Sequence, residues 1–274
     1  MLELISDKDQ TLKEFTDNAY AQASFFFRAL LKNKDVKVNG KKTGTDVALK
    51  AGDVVCYYLT KKQEEKPAFH IVYEDGNILV VDKESGVNSE AVFAALVRSY
   101  GADCRFIHRL DRNTQGLMVF ARNATAESEL LRAFKDKDVK KTYHALCFGS
   151  FETKSQTMTA YLKKDEQRAL VRIYDEPKKG AERIVTEYTV LGEKDGVTKA
   201  EITLHTGKTH QIRAHFAHIG HAVVGDMKYG DGARNKERNA TRQCLVAKYL
   251  SFRSDGELSY LNGKTFVSKF ETEL

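Results

Sequence analysis

The sequence predicts an α+β fold built on a mixed, mainly antiparallel β-sheet with flanking helices, preceded by a small amino-terminal α+β domain. Three observations carry that expectation. Strand-like segments outnumber helical ones, and turn signals at Asn39-Gly40, Asp75-Gly76-Asn77 and Asn262-Gly263 join them as hairpins. The polar stretch 60–68 holds one of only two prolines and sets a short first region apart from a longer second one. Hairpin-joined strands favour a largely antiparallel sheet over a doubly wound parallel one.

Taken in order, Ala23, Phe26, Phe27, Leu30 and Leu31 form a helical stripe over residues 20–32. Val36 and Val38 alternate into Asn39-Gly40, and Val54 to Leu59 closes the first region as a strand. The expected domains are therefore 1–59 and 69–274, with 60–68 as linker. Beyond it, His70 to Tyr73 and Ile78 to Val81 read as strands, and a helix from Glu90 to Tyr100 ends at Gly101 as its left-handed cap. Leu117 to Ala121 is a strand, Thr125 to Lys135 a helix, Thr142 to Phe148 another strand, and several short strands follow between 156 and 206. A helix begins near Thr209, with Ile212, Phe216 and Ile219 as its core stripe and His210, Arg213 and Ala217 on another face. A hairpin of Leu258 to Leu261 and Thr265 to Phe270 closes the chain.

A chain of 274 residues with 42% apolar and 30% charged side chains can bury one sizeable core or two unequal ones. No apolar run reaches the ~18 residues of a membrane span, and the first residues, Met1 to Asp9, lack the pattern of a secretory signal. A cytosolic protein is expected. Its four cysteines, Cys56, Cys104, Cys147 and Cys244, are scattered without a close pair, which suits reduced thiols packed as small apolar groups better than a zinc ribbon or redox motif. A net charge of +6 favours an acidic partner such as RNA. Between residues 28 and 42, Arg28, Lys32, Lys34, Lys37, Lys41 and Lys42 face the single acid Asp35, a basic surface that suits phosphate contact.

Residues 105–122 place Asp111 between Arg109 and Arg112, directly before a predicted buried strand. Flanking cations favour the charged form of a carboxylate, and an ionised Asp is a potential nucleophile or base. The Arg-Leu-Asp triplet alone reads more readily as an ordinary Asp that opens a turn and pairs with a surface Arg. It is accompanied by a second segment, residues 204–230, dense in histidine, glycine and threonine.

Together the segments resemble the signature of the RluA-type pseudouridine synthases. The match lies in His108-Arg109-Leu110-Asp111 with Thr114 and Gly116-Leu117, in Lys141-Thr142-Tyr143, and in Thr206-Gly207, His210-Gln211-Ile212-Arg213, Gly225-Asp226 and Tyr229-Gly230. Their order spans most of residues 69–274. The helix, hairpin and closing strand of residues 1–59 resemble the small RNA-binding domain shared with ribosomal protein S-four. The resemblance implies an isomerase that turns specific uridines of structured RNA, by preference large-subunit ribosomal RNA with tRNA second, into pseudouridine. Because nothing is oxidised, neither cofactor nor metal is expected, and the protein is expected to act as a monomer.

By the same resemblance Asp111 is the catalytic carboxylate, able to add to uracil C6, attack ribose C1′ or take a C2′ proton. Arg213 is implied to pair with Asp111 and fix its aim. Tyr143 is implied to stack on the flipped base. Arg109 is implied to fill the gap that base flipping leaves, while Arg112, Lys208 and His210 are expected to contact RNA. Lys208 stands where Arg is usual, and Lys83-Glu84-Ser85-Gly86 lacks the proline expected after its lysine.

Three other readings compete. His205, His210, His215, His218 and His221 crowd together as a metallohydrolase site would, but no His-Glu-x-x-His pattern occurs and Gly220 is expected to end the helix between the last two. A deaminase would need a Cys-x-x-Cys zinc site, which the sequence lacks. A non-catalytic RNA binder or ribosome-assembly factor would gain nothing from a carboxylate at Asp111, because it repels phosphate.

Overall fold

The computed structural model describes residues 1–165, 168 and 170–274, and the chain divides into two compact units. The first comprises residues 1–112 and 118–127, the second residues 113–117 and 128–274.

In the first unit a four-stranded antiparallel sheet runs in the order β1 (Leu2–Ile5), β6 (Val54–Tyr57), β3 (Val36–Val38), β4 (Lys41–Thr43). The expected β3–β4 hairpin forms because Asn39 and Gly40 both take positive φ, 49° and 79°, which matches the twist of the paired strands. Helices α1 (Leu12–Ala19) and α2 (Ala21–Asn33) bury Leu12, Phe15, Phe27 and Leu30 against Val36, Leu49, Val55 and Tyr57, with the small pair β2 (Gln10–Thr11) and β5 (Ala48–Leu49) alongside. The expected linker contains a one-turn helix, α3 (Lys61–Glu64), closed by a Thr60/Gln63 capping box. Side chains on either side of it are bonded: Asn88 Nδ2 donates to Asn18 Oδ1 at 2.9 Å, and an Arg98 guanidinium nitrogen donates to the Ala19 carbonyl at 3.0 Å.

The rest of this unit is the hairpin β7 (Phe69–Glu74) and β8 (Ile78–Lys83), helix α4 (Ser89–Tyr100), strand β9 (Arg105–Phe106) and the end of β10 (Gln115–Ala121), in the strand order β10-β8-β7. The Asp75 carboxylate accepts from the amides of Asn77 and Ile78, both at 2.8 Å, and so fixes the turn read from the sequence. Gly101 does end α4, but at φ 87° and ψ −178°, a fully extended ψ and not the expected left-handed helical cap.

The second unit is a sheet in the order β13 (Leu170–Tyr174), β12 (Ser155–Asp165), β14 (Glu182–Lys194), β15 (Val197–Leu204), β11 (Val139–Phe148), β16 (Leu245–Phe252). These neighbours are antiparallel, and β16 also pairs in parallel with the start of β10 at Gln115 and Gly116. The sheet is therefore mixed and mainly antiparallel, as expected. Gly116 is required there, since a Cβ would lie 2.3 Å from the Ala247 carbonyl oxygen. Helix α5 (Ala124–Asp136) precedes β11, and α6 (Gln211–His218) and α7 (Gly232–Glu237) follow β15. No helix among the described residues is long and apolar enough to cross a membrane.

The closing hairpin does not form. Glu257–Leu261 is a 3-10 helix whose first amides, Glu257 and Leu258, donate to the Glu129 carboxylate at 2.7 and 3.0 Å. The Asn262 side chain is bonded both ways to the Ser254 backbone at 2.9 Å, so it cannot serve the expected turn. Only β17 (Phe266–Val267) is extended, and it pairs with β16.

Candidate active site

Asp111 follows β9 in the first unit and is half-buried, on a segment fixed on both sides. Before it, the Ser89 hydroxyl accepts from the Leu110 amide at 3.0 Å and donates to the Leu110 carbonyl at 2.9 Å. Behind it, the Arg112 carbonyl accepts from the Gly86 amide at 2.9 Å and from Lys83 Nζ at 3.1 Å. Lys83, the last residue of β8, is fully buried and also donates to the carbonyls of Glu84 and Val87 at 3.0 and 2.9 Å. Burial pulls its pKa down to about 7, with the nearby Asp111 carboxylate acting in the opposite sense. His108 accepts from the Val119 amide at 3.1 Å through Nε2, which ties the His-Arg-Leu-Asp stretch to β10.

The arginines on either side of Asp111 fare differently. Arg109 is exposed, with one nitrogen 3.2 Å from a Glu90 carboxylate oxygen. Arg112 is held by Asp17 of α1 at 2.6 Å and by the Ser24 hydroxyl of α2 at 3.0 Å. Burial would raise the Asp17 pKa, but Lys13, Ser24 and Arg112 together hold it below the ordinary carboxylate value. The expected phosphate-contacting Arg112 thus has its guanidinium committed within the protein.

In the second unit Tyr143 is buried in β11, opposite Ile202 of β15 and Ala247 of β16, where β16 carries one extra residue, Lys248, against the Thr142–Tyr143 step. Arg213 lies on α6, 7% exposed, and donates through Nε and Nη2 to the two oxygens of Asp226 at 2.6 and 3.0 Å. That two-pronged geometry is the strong form of an ion pair. Burial raises the Asp226 pKa, but Arg213 and the Tyr229 and Lys228 amides outweigh it and keep the carboxyl below its ordinary value.

The rest of the second segment supports this pair. His210 takes a left-handed backbone, φ 55° and ψ 19°, at the start of α6, and its Nδ1 shares a 2.8 Å hydrogen bond with the Tyr229 hydroxyl. Gln211 accepts from the Thr206 hydroxyl and the Lys208 amide at 2.9 and 3.1 Å, closing the Thr-Gly-Lys turn. Lys208 reaches Glu182. The glycines are steric necessities: a Cβ on Gly225 would lie 1.8 Å from the Arg242 carbonyl, and one on Gly230 2.0 Å from that of Asp226. Asn235 of α7 accepts from the Gly225 amide at 2.7 Å and donates to the Asp226 carbonyl at 3.2 Å, a contribution absent from the sequence reading.

The five histidines face five separate partners. His205 meets Glu187, His210 meets Tyr229, His215 meets the Thr186 hydroxyl, His218 meets Asp175 and His221 meets the Phe148 carbonyl. His218 and His221 are separated by Gly220 at φ 85°, which ends α6 as expected. The basic residues of the first region are on its surface: Arg28, Lys32, Lys34, Lys41 and Lys42 are exposed, and Lys37 lies over the Tyr58 ring.

Known proteins share this architecture. The family described as RNA pseudouridylate synthase matches residues 32–218. An RNA pseudouridine synthase of Chlorobaculum parvum is 30% identical, over 82% of this chain and 80% of its own. A "Ribosomal large subunit pseudouridine synthase C" of Vibrio parahaemolyticus is 32% identical over 76% of this chain and 72% of its own. The solved structure "Human RNA Pseudouridylate Synthase Domain Containing 1" superposes with a TM-score of 0.62 at 32% identity, covering 69% of this chain and 80% of that one. With His-Arg-Leu-Asp, Lys-x-Tyr and His-Gln-Ile-Arg each held by the contacts above, the chain belongs to the RNA pseudouridylate synthase family and is an RNA-modifying isomerase.

Proposed function

We propose that this isomerase acts on a uridine of large-subunit ribosomal RNA, with tRNA as the second substrate class, and that Asp111 carries the reaction. The observation behind this reading is the clamped segment: Leu110 and Arg112 are both fixed through their backbones, while Asp111 between them stays partly open to solvent. A carboxylate so held loses little entropy on meeting a substrate. It would add to C6, attack C1′ or remove a C2′ proton, three routes that need the same ionised oxygen.

In this reading Arg213 orients and charge-balances Asp111, Tyr143 stacks on the extruded uracil, and the exposed Arg109 occupies the vacated position in the RNA. Lys208 and His210 contact the backbone near the flipped nucleotide. Residues 1–59 serve as an RNA-binding domain of the ribosomal protein S-four type, with Arg28, Lys32, Lys34, Lys37, Lys41 and Lys42 meeting phosphates. The ribosomal preference is supported by the named activity of the Vibrio relative.

Tritium release from RNA labelled at uridine C5 tests the assignment. Asp111→Asn removes the charge at nearly constant shape, so RNA binding is expected to survive while release stops. Release at the wild-type rate would remove Asp111 from the chemistry. Mapping pseudouridine in ribosomal RNA and tRNA, with and without the protein, decides between the two substrate classes.

A further inference from the structure

The second unit contains a cleft of about 640 Å³, lined by Phe134, Lys135, Lys137, Val139, Lys140, Lys141, Glu187, residues 203–205, and Thr206, Gly207 and Lys208. Among the described residues five lysines line it with one carboxylate, Glu187, and that carboxylate is bonded to His205 at 2.7 Å. Outside the cleft, Lys50 is paired with Asp9 and Lys199 with Glu271. Within the cleft Lys208 reaches Glu182, whereas the ammonium groups of Lys135, Lys137, Lys140 and Lys141 make neither hydrogen bond nor ion pair among the described residues.

Lys141 is the most telling of them. Its ammonium stands over the Phe134 ring, 4.9 Å from the centroid, and 3.3 Å from where a Gly207 Cβ would be. Burial lowers its pKa, and no anion among the described residues opposes that effect. A partly dehydrated ammonium held in a cleft without a counter-charge is costly unless an anion completes the site. The register shift beside Thr142 is taken up by Lys248 of β16, while β11 pairs with β15 without a shift, so Lys141 and Tyr143 stand two residues apart on a strand of unbroken alternation.

We propose that this cleft binds the phosphate backbone of the substrate RNA over two or more consecutive nucleotides, with Lys141 as its inner anchor and Lys135, Lys137 and Lys140 as its rim. This rests on the reading of the protein as an enzyme of structured RNA. The cations come from the end of α5, the start of β11 and the loop after β15, and the four without an ion pair carry more positive charge than one phosphodiester would balance. Its volume falls in the range of ligand clefts, and Phe134, Val139 and Leu204 give it apolar walls against which ribose can lie.

The test is RNA affinity measured against salt for the full chain, for K135Q/K137Q/K140Q, and for a charge-matched control, K164Q/K178Q/K179Q, in exposed lysines of the same unit outside the cleft. Each lost phosphate contact lowers the slope of log affinity on log salt by about 0.7 to 0.9. The cleft variant is expected to lose about 2 from the slope and roughly ten- to a hundred-fold in affinity, with the control close to wild type. In the tritium assay the loss is expected in KM. Equal losses in the two triple variants would mean that only net charge matters, and would overturn the site. A loss confined to kcat would overturn it too.

Lys141→Met, which keeps the side-chain stem over Phe134, is expected to weaken binding further with unfolding unchanged. If it unfolds the protein, the rim variant alone decides. Inorganic phosphate separates RNA from a lone anion: it is expected to compete no better than chloride of the same ionic strength. A saturable effect of phosphate, lost in the rim variant, would make this a small-anion site instead. A chain that releases no tritium but shows the slope difference would refute the chemistry and leave the cleft standing.

Discussion

Two buried cations underlie the two halves of the signature, and they are neutralised in opposite ways. Lys83 gives its three donors to the carbonyls of Glu84, Val87 and Arg112 and makes no ion pair among the described residues. Arg213 is locked to a carboxylate, Asp226, at 2.6 and 3.0 Å. Carbonyl dipoles satisfy hydrogen bonds without cancelling charge, so burial pulls the Lys83 pKa down to about 7. A guanidinium never gives up its proton, and its partner Asp226 is held below the ordinary carboxylate range. The lysine is a clamp that senses neutral pH, whereas the arginine pair is constant above the acid range.

The largest effect is expected at Asp226. Asp226→Asn takes from the buried Arg213 its two-pronged carboxylate partner, and removing one member of a buried pair costs about 3 to 5 kcal/mol. Urea unfolding measures this as a lower midpoint with an unchanged slope. The sign with pH follows from the lowered carboxyl value: the stability it contributes is present above the unfolded value and is lost as pH falls through the folded one. The deficit of the variant should therefore shrink below about pH 4. A wild-type midpoint for Asp226→Asn at pH 7 would show that Arg213 has no need of this partner.

A smaller loss is expected at Lys83. Lys83→Met leaves the carbonyls of Glu84 and Val87 without their donor, at about 1 to 3 kcal/mol, partly offset by removing a buried charge. Here the folded pKa lies below the unfolded one, so the unfolded chain holds the proton more tightly. Wild-type stability then rises as pH climbs from about 7 towards the ordinary lysine value, by at most about 1.4 kcal/mol per unit. The methionine variant lacks that rise, and its deficit should widen with pH. Parallel stability curves for the two proteins between pH 7 and 10 would show that Lys83 is not the titrating group.

How much of this was legible beforehand depended on whether the determining interaction was local. The Asn39-Gly40 hairpin, the Asp75 turn and the helix end at Gly220 follow from backbone preferences of neighbouring residues, and all three are observed. Strand β16 escaped because Lys248 interrupts its apolar run. That lysine is buried by donating to the carbonyls of Ser268 and Phe270, both at 2.9 Å, and by pairing with Glu271 at 3.1 Å, all some 20 residues away. The closing hairpin failed for a similar reason, since Glu129 caps the competing 3-10 helix across more than a hundred residues of chain. At the site, Asp111, Tyr143 and Arg213 were singled out by their motifs. Asp226 entered only as a motif letter, and Lys83 only as a departure from pattern, because their roles arise from burial and carbonyl geometry that spacing does not encode.

The smallest effect is expected at the side chain of Arg112. Its backbone is fixed by Lys83 and Gly86, while its guanidinium is held by Asp17 and Ser24, so two clamps act on one residue. The Asp17–Arg112 pair is partly exposed, 14% and 35%, which screens it and limits its worth to about 1 kcal/mol. Asp17→Asn is therefore expected to cost at most about 1 kcal/mol in urea unfolding, below the loss at Lys83, and to lower kcat only about two- to five-fold, with RNA affinity and its salt slope unchanged. A chain starting near residue 66 removes Asp17 and Ser24 together with the lysine-rich hairpin. It should show the same small loss in kcat, joined by weaker binding and a shallower salt dependence. Should Asp17→Asn reduce kcat about a hundred-fold or more, the side-chain clamp would rank with the backbone clamp, and residues 1–59 would be part of the catalytic machinery and not only a platform for RNA.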